Sequence, residues 1–290
     1  DAIVDFVGSP TFAVNVDGYT LSGSVTNVKG TINSYSTSDA DEIAEIASQT
    51  TDQAKVDLIG DKASSIDFTD NAITAQFSNA NDGAYTVYYW FTNGEGTVTS
   101  KVYSQQVNVV EIGTTADYAA ALADNNSSTI YMLTADLDFA SGYTSIGNLY
   151  GLINGDGHTI RNVTIDSGSQ SSDRFGMFTN LNGGTIMNVK FENINITSAV
   201  QETGIIGRSY GGYIHNVLIN NINISTTQSR VGGLIGRQYA GDIFITQVAL
   251  VNDDSHKLQT TGEDIAGFIG LMQSSSDNVT MGTINIADCY

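Results

Sequence analysis

The sequence predicts an all-β protein with two domains, a β-sandwich over residues 1–112 and a parallel β-helix over residues 113–290. Residues 1–112 contain short runs in which apolar and polar residues alternate, the pattern of half-buried antiparallel strands. The rest of the chain repeats two short motifs, and their period falls within the range of roughly 20 to 50 residues that is typical of repeat architectures. A length of 290 residues suits two domains.

The first domain is predicted from six alternating runs. They are residues 12–16, 19–25, 66–68, 73–77, 85–91 and 97–109. The turn-forming sequence Asn93-Gly94-Glu95-Gly96 lies between the last two runs and predicts a hairpin. Such a set of strands within about a hundred residues resembles an immunoglobulin-like or fibronectin-like sandwich. The Cys…Trp…Cys pattern of immunoglobulin domains is absent, so the resemblance concerns the fold alone.

A short helix is predicted within this sandwich, over residues 39–48. Residues 38–41 have the pattern of a capping box, and Ile43, Ile46 and Ala47 follow at helical spacing. Trp90 and its neighbouring tyrosines can be interpreted either as an exposed binding platform or as part of the core. We favour a core position for them, because aromatic residues are enriched in strands and pair across them.

A second helix is predicted at the start of the second domain. Thr115 can cap it, Asp117 lies in its first turn, and Tyr118 and Leu122 share a face. The open end of a solenoid exposes unpaired strand edges, so we expect this helix to cover the N-terminal end. The alternating run at residues 129–133 would begin the first coil.

The first repeated motif, here the glycine motif, is a Gly followed by two large apolar residues and often a second Gly. Its copies begin at Gly151, Gly176, Gly204, Gly233 and Gly267. No repeat shows a helical apolar period, which excludes helical solenoids. Most repeats are also shorter than the roughly 40 residues of a four-stranded propeller blade. A parallel β-helix with one coil per repeat therefore fits.

The second repeated motif, here the asparagine motif, has the form Ile-x-Asn-Val. Its polar positions are Asn162, Asn188, Asn216 and, in a degraded copy, Gln247. Stacked coils place like residues above like residues. We therefore expect these side chains to form an internal ladder in which each amide binds the next, since buried polar groups need partners.

Together the two motifs resemble the GLUG-type repeats of bacterial cell-surface proteins, over about residues 115–288. Residues 154–160 also resemble the Gly-x-Gly-His-x-Ile turn found in this class. The resemblance implies a right-handed β-helix in a secreted or cell-surface protein of bacteria, such as an adhesin or the non-catalytic region of a surface protease. The recurring residues of the family are structural, so the resemblance implies no ligand.

Composition narrows the choice of partners. The formal charge is −20, from 31 acidic and 11 basic residues, and the excess lies in both domains. Such a surface repels phosphate backbones and anionic membrane surfaces, so we expect no nucleic acid and no membrane insertion. No apolar run approaches the length of a membrane span.

Cys289 is the single cysteine, which excludes an intrachain disulfide and zinc-type spacing. We expect the chain to be a mature form or an excerpt of a longer surface polypeptide.

The sequence predicts no catalytic residues, no metal site and no cofactor. Its acidic residues in the β-helix lie at different offsets within their repeats, whereas polysaccharide hydrolysis needs two carboxylates that face one cleft. His158, His215 and His256 form neither a triad nor a metal spacing. Calcium binding remains possible at two pairs of carboxylates, Asp136 with Asp138 and Asp253 with Asp254. Neither pair lies in a full calcium-loop motif.

One column of residues is a candidate binding site. Arg208 and Tyr210 recur as Arg237 and Tyr239, 29 positions later, which equals the step from Gly204 to Gly233. Stacking would give an exposed ladder of guanidinium groups and aromatic rings, a combination that holds sugars or acidic partners. The structural alternative is that the tyrosines pack on each other while the arginines neutralise nearby acids.

The sequence thus predicts a non-catalytic surface or secreted protein, acting as an adhesin, a glycan-binding module or a rigid spacer. Its partner would be a host or environmental glycan or a surface protein. Two alternatives remain. One is a polysaccharide lyase or hydrolase with a site on the β-helix face, and the other is a non-catalytic region of a larger surface protease.

Overall fold

The computed structural model describes residues 3–15, 18–79, 84–123, 125–169, 172–274 and 281–290. The chain divides into two compact units, Asp1–Val109 and Val110–Tyr290. This boundary lies slightly before the predicted one. Each unit has its own secondary structure and is described by itself.

The first unit is built from seven strands and two α-helices within its described residues. The strands are β1 (Thr11–Asn15), β2 (Gly18–Ser24), β3 (Gly30–Thr37), β4 (Ser64–Phe68), β5 (Ala72–Ser78), β6 (Tyr85–Thr92) and β7 (Tyr103–Ile112), and the helices are α1 (Ala40–Ser48) and α2 (Asp52–Ile59). One antiparallel sheet has the order β1-β2-β5, and the other strands pair antiparallel in the order β4-β3-β6-β7. The β-rich character of this unit is confirmed, and its immunoglobulin-like class stays a prediction.

The two helices pack against strand β6. Helix α1 begins where predicted, with the Asp39 side chain accepting two backbone N–H groups of the first turn. Ile46 of α1 and Ile59 of α2 form a buried cluster with Tyr88 and Trp90. The prediction that Trp90 belongs to the core is therefore confirmed. Helix α2 and strand β3 were not predicted, because neither segment has a clear apolar period.

The second unit begins with helix α3 (Thr115–Ala123) and continues entirely as strands and turns within its described residues. The strands are β8 (Thr129–Leu133), β9 (Leu137–Asp138), β10 (Ile146–Leu149), β11 (Leu152–Asn154), β12 (Thr159–Asp166), β13 (Arg174–Phe175), β14 (Phe178–Leu181), β15 (Thr185–Ser198), β16 (Glu202–Thr203), β17 (Ile206–Ser209), β18 (Gly212–Thr226), β19 (Val231–Gly232), β20 (Ile235–Gln238), β21 (Gly241–Val251), β22 (Leu258–Thr260), β23 (Ile265–Ala266), β24 (Ile269–Met272) and β25 (Met281–Ala287).

These strands stack in parallel as a β-solenoid of about four turns. One sheet has the order β10-β14-β17-β20-β24, and a second, narrower sheet has the order β13-β16-β19-β23. The long strands β12, β15, β18 and β21 pair in sequence and form the third side, with β8, β9, β11, β22 and β25. The parallel solenoid predicted from the repeats is confirmed.

Register fixes which residues are equivalent from coil to coil. In the five-stranded sheet Ile146, Phe178, Ile206, Ile235 and Ile269 lie opposite one another and all belong to the continuous core. The last three steps along this column, from Phe178 to Ile269, equal the steps of the glycine motif from Gly176 to Gly267. The repeat spacing predicted for these three coils is therefore confirmed.

The first predicted step of the glycine motif, from Gly151 to Gly176, is wrong. Gly151 precedes strand β11, where Leu152 lies opposite Thr185 of the long strand β15. It is therefore not the counterpart of Gly176, which precedes strand β14. The motif of one Gly and two apolar residues occurs on two different sides of the solenoid, so the motif alone could not assign its first copy.

The glycine motif allows two sheets to touch through their backbones. It connects β16 to β17 and β19 to β20, strands of the narrow and the five-stranded sheet. A Cβ atom on Gly204 would lie 2.9 Å from the amide nitrogen of Gly236, and one on Gly236 would lie 2.5 Å from the amide nitrogen of Thr203. Only glycine permits such an approach without displacement of the neighbouring backbone.

The asparagine motif marks sharp bends in the long strands. Asn188 and Asn193 of β15 have φ angles of 51° and 54°, and Asn216 and Asn221 of β18 have 49° and 63°. This left-handed conformation is unfavourable for most side chains, and asparagine tolerates it because its short amide can bond locally. Each of these strands is thus folded around two corners of its coil.

The predicted asparagine ladder exists, but it differs in register and in burial. Asn216 Nδ2 donates to Asn188 Oδ1 at 2.9 Å, and Asn188 Nδ2 donates to Asn154 Oδ1 at 3.2 Å. Asn162 belongs to another corner, where Asn193 Nδ2 donates to its Oδ1 at 3.3 Å. Asn188 is half-buried and Asn216 is exposed, so the ladder lies at the surface rather than inside. The reason is that left-handed bends turn these side chains away from the core.

Gln247 continues the first of these two columns. Val217 lies opposite Val248, which places Gln247 next to Asn216, and its φ angle of 55° shows the same bend. Its side chain is exposed, like that of Asn216. The degraded copy of the motif therefore keeps the backbone conformation while the amide has become longer.

Helix α3 covers the first coil, as predicted. Tyr118 and Leu122 are buried, and the ring centres of Tyr118 and Phe139 are 5.4 Å apart. The capping residue is Thr114 rather than Thr115, because Thr114 Oγ1 accepts the backbone N–H of Asp117 at 3.1 Å.

We expect Gly204→Ala to destabilise the protein by about 1–3 kcal/mol, the usual cost of overpacking. The added Cβ would meet the carbonyl oxygen of Gly232 and the amide nitrogen of Gly236, 2.7 and 2.9 Å away. Gly267→Ala is the matched control, since Gly267 has the same place relative to Ile269 and no atom lies within 4 Å of its Cβ position. Urea unfolding of both variants measures the difference. Equal midpoints would contradict the proposed backbone contact.

Candidate functional site

The predicted column of arginines and tyrosines is present. Arg208 of β17 lies directly opposite Arg237 of β20. Tyr210 and Tyr239 each directly follow the end of their strand, and their ring centres are 5.3 Å apart. The spacing between the two Arg-x-Tyr copies therefore identified a true structural repeat.

The prediction that this column forms an exposed ladder is wrong. Arg208 is 7% exposed and Arg237 is 3% exposed. The physical reason is a carboxylate, Glu202 of strand β16, which is fully buried beside them. The narrow sheet lies against the five-stranded sheet at the glycine contacts, and it brings this carboxylate to the arginines.

Glu202 is bound by three arginines. Its Oε2 accepts from Arg208 Nε at 2.5 Å, and its Oε1 accepts from Arg208 Nη2 at 2.8 Å. Oε1 also accepts from Arg237 Nη1 at 3.1 Å and from Arg230 Nη1 at 3.2 Å. A buried carboxylate is tolerated only when it is paired and hydrogen-bonded in this way. We call Glu202, Arg208, Arg230 and Arg237 the buried ionic cluster.

The rim of the buried ionic cluster is also charged. Asp173, whose side chain is half-exposed, accepts from Arg208 Nη2 at 2.5 Å and lies 3.3 Å from Arg174 Nε. Arg174 Nη1 in turn donates to the Tyr210 hydroxyl at 2.6 Å. The column thus continues outward through groups that are already bonded to one another.

The Tyr239 ring covers both buried arginines. The Cζ atoms of Arg208 and Arg237 lie 5.0 and 4.9 Å from its centre. Guanidinium groups over an aromatic face are held by the negative face of the ring, most strongly where water is excluded. This ring is consequently part of the packing of the cluster.

The arginine N–H groups are directed at partners inside the protein. Besides its bond to Glu202, Arg237 donates from Nε to the carbonyl oxygen of Gln273 at 2.7 Å. An acidic ligand would have to compete with Glu202 and Asp173 for these donors. The ligand-binding role predicted for Arg208, Tyr210, Arg237 and Tyr239 stays a prediction, and the contacts favour the structural alternative.

The charges shift each other's ionisation. Burial by itself lowers the pKa of Arg208, but the bonds to Glu202 and Tyr210 outweigh it and the net pKa is raised. Burial raises the pKa of Asp173, and the charge and hydrogen bond of Arg208 more than reverse this, so its pKa lies below 3.8. Both groups therefore stay ionised near neutral pH.

Glu202 is the residue that sequence reasoning missed. Strand pairing places Arg174 opposite Glu202, and it places Thr203 opposite Val231, hence Glu202 next to Arg230. Arg174, Glu202 and Arg230 thus form a column across the strands of the narrow sheet, and their charges alternate in sign. That alternation at the repeat spacing was a signal available in the sequence.

A second charged group lies on the outer side of the long strands. Asp138 lies opposite Arg161, and Arg161 lies opposite Glu192, so two carboxylates share one column with a guanidinium between them. The two carboxylates lie two coils apart, so they do not form a pair in adjacent coils. We call Asp138, Arg161 and Glu192 the outer charged column.

Hydrogen bonds favour the ionised form of both carboxylates of the outer charged column. The Asn162 amide and the backbone N–H of Ala140 lower the pKa of Asp138, and Lys190 and Asn220 lower that of Glu192. Arg161 Nε lies 3.1 Å from Asp138 Oδ2.

Calcium binding stays a prediction. Asp136 Oδ1 accepts the backbone N–H of Thr159 at 2.9 Å and lies 3.3 Å from His158 Nδ1, while Asp253 Oδ1 accepts from Ser255. In the described part of the chain, no three His, Cys, Asp or Glu side chains come together as metal ligands.

Comparison with known proteins gives few relatives. No family model matches the chain. The chain is similar to Halomucin of Haloquadratum walsbyi, with 29% identity over 187 residues. The similarity covers 56% of this chain and 2% of that protein, so the chain spans a small part of the relative's length.

Among solved structures, the crystal structure of pectate lyase Pel3 from Pectobacterium carotovorum matches 89% of this chain and 78% of that chain. The TM-score is 0.20 at 8% identity, which is too low to infer a shared function.

None of the helices described here has the length and apolar character needed to cross a lipid bilayer.

We expect Arg208→Met to destabilise the protein by about 3 kcal/mol or more, the usual cost of removing one partner from a buried ion pair. Two of the hydrogen bonds to Glu202 would be lost, and that carboxylate would remain fully buried. Arg161→Met is the control, because the 40%-exposed Arg161 forms a surface pair worth about 0–1 kcal/mol. Urea unfolding compares them, and similar losses would argue that water reaches Glu202.

Asp173 gives a prediction on pH. Its pKa in the folded state is lowered below 3.8, so its stabilising effect is fully present above pH 3.8 and is lost as the pH falls through the lowered value. We expect wild type to be more stable than Asp173→Asn down to about pH 4, with the difference shrinking in stronger acid. Chemical unfolding across this range tests it. A difference that grows below about pH 4 would contradict the sign of the shift.

Proposed function

We propose that the chain is a non-catalytic module of a surface or secreted protein, in which the solenoid serves as a rigid spacer or adhesin that displays a binding surface. Its partner would be an environmental or host glycan or a surface protein. The immunoglobulin-like class of the first unit and the kinship of the repeats with GLUG-type proteins belong to the same proposal.

The observation that carries the proposal is the buried ionic cluster. One carboxylate and three arginines of the repeats pair with one another across two sheets. Glu202 is fully buried, and the Arg208 and Arg237 side chains are 9% and 4% exposed. Because Glu202, Arg208 and Arg237 are buried and already bonded to one another, we infer that they stabilise the fold.

The ionisation of the outer charged column also supports a non-catalytic role. Hydrolysis of a glycosidic bond requires one carboxylic acid that keeps its proton near neutral pH, usually through a raised pKa. The pKa values of Asp138 and Glu192 are both lowered, mainly by hydrogen bonds from Asn162 and from Lys190. This pair therefore lacks the proton donor that a glycoside hydrolase needs.

The charge of the chain and its similarity to Halomucin support an exported location. A formal charge of −20 spread over the sequence keeps a protein soluble and resists non-specific association. The similarity extends over a small part of Halomucin, which suits a module within a longer polypeptide. The role as non-catalytic region of a larger surface protease is one form of this proposal.

A polysaccharide lyase is the second candidate. The observation in its favour is the outer charged column, because elimination needs a base and a nearby cation rather than a protonated acid. Asp138 and Glu192 are ionised carboxylates, and Arg161 lies between them at the surface. Their mutual bonds leave the base and the cation paired with each other, which makes this the weaker proposal.

We expect the purified chain to release no product from neutral or acidic polysaccharides, with or without calcium. Reducing-end assays detect hydrolysis, and ultraviolet absorbance detects the unsaturated product of a lyase. Glu192→Gln and Arg161→Ala are the variants to run in parallel. Product formed by wild type and lost in both variants would overturn the proposal and place an active site at the outer charged column.

A further inference from the structure

A pair of aromatic side chains lies on the outer side of the solenoid. Tyr213 of β18 lies directly opposite Phe244 of β21. Each is 36% exposed, whereas their neighbours Ile214 and Ile245 are fully buried in the core. The alternation along each strand therefore directs the two rings outward.

The two rings form a continuous surface with a polar edge. Their centres are 6.1 Å apart and their planes differ by 38°. The His215 ring lies 5.9 Å from Tyr213, and His215 Nδ1 is 2.8 Å from Thr246 Oγ1. That bond fixes the imidazole beside the aromatic rings. We call Tyr213, Phe244, His215 and Thr246 the aromatic platform.

The surroundings of the aromatic platform carry little charge. Thr185 lies opposite Tyr213 on one side, and Asn285 lies opposite Phe244 on the other. Strands β18, β21 and β25 contain no lysine or arginine. Asp242, whose Oδ1 accepts the backbone N–H of Thr283, adds a negative charge at the edge. An anionic ligand would find no lysine or arginine on these three strands, in a protein whose formal charge is −20.

We propose that the aromatic platform binds a neutral polysaccharide, with its chain running across the strands. Sugar rings offer apolar C–H faces to aromatic side chains, and their hydroxyls suit the imidazole, hydroxyl and amide groups at the edge. Neighbouring strands are about 4.8 Å apart, so successive strands present their rings to successive parts of one extended polymer. This inference deepens the proposed binding function and rests on it.

The arrangement of the rings separates this ligand from a cationic one. Recognition of an ammonium group uses several aromatic faces that surround the charge. Here Tyr213 and Phe244 lie side by side on neighbouring strands with planes 38° apart, which makes a floor rather than a cage. Such a floor fits a flat, extended chain of sugar rings.

The test is affinity electrophoresis of the whole chain in gels that contain a soluble neutral polymer, such as arabinoxylan, glucomannan or mixed-linkage glucan, or acidic polygalacturonate. We expect at least one neutral polymer to retard wild type. The double variant Tyr213→Ala with Phe244→Ala should bind it about tenfold more weakly or worse, because aromatic anchors dominate such contacts. Polygalacturonate should cause no retardation that depends on the two rings.

Tyr150→Ala is the matched control, since Tyr150 is 43% exposed and lies in another coil. Circular dichroism and thermal melts must show that all three proteins are folded. Equal retardation of wild type and the double variant, retardation by the acidic polymer alone, or none in any neutral polymer would each overturn the inference. Product release in the turnover assay would instead overturn the proposed non-catalytic function, so the two failures are distinguishable.

Discussion

The second unit depends on parallel pairing between consecutive coils in a fixed register. Because each strand bonds to its counterpart in the next coil, every side chain is placed above an equivalent one at the spacing of a β-sheet. Like residues then meet like residues, and the sequence must make each such column compatible with itself. Isoleucines satisfy this requirement in the core, asparagines at the bends and glycines where two sheets touch. In the column of Arg174, Glu202 and Arg230 the sign of the charge alternates, and where Arg208 stacks on Arg237 both arginines bind the Glu202 carboxylate.

The repeat could be predicted from the sequence because equivalent positions in successive coils carry similar residues. The spacing of the glycine motif identified the solenoid and placed Arg208 above Arg237. The register of the first coil could not be predicted, since β15 and β18 each have two bends and both bends use asparagine. Asn162 therefore resembles Asn188 in sequence while it stacks on Asn193 in the fold.

The environment of the candidate site was less predictable than its position. An arginine beside a tyrosine has the same sequence pattern whether it is exposed or covered. Burial here is decided by strand β16, only two residues long, which has no periodicity to reveal it. The outward aromatic pair illustrates the converse, because Tyr213 and Phe244 alternate with Ile214 and Ile245 in the pattern of an ordinary strand. Only the exposed fractions of the two rings separate them from core residues.

Solenoids whose coils contact only their neighbours tend to lose structure one coil at a time, from the ends inward. The buried ionic cluster opposes this behaviour. Asp173 and Glu202 come from different coils, Arg208 and Arg237 lie on successive strands, and Arg237 also holds the Gln273 carbonyl beyond them. Opening any one of these coils would leave a charged side chain of another coil without its ion-pair partner. The middle of the solenoid should consequently exchange its amide hydrogens as a single cooperative unit, although its contacts are arranged along one dimension.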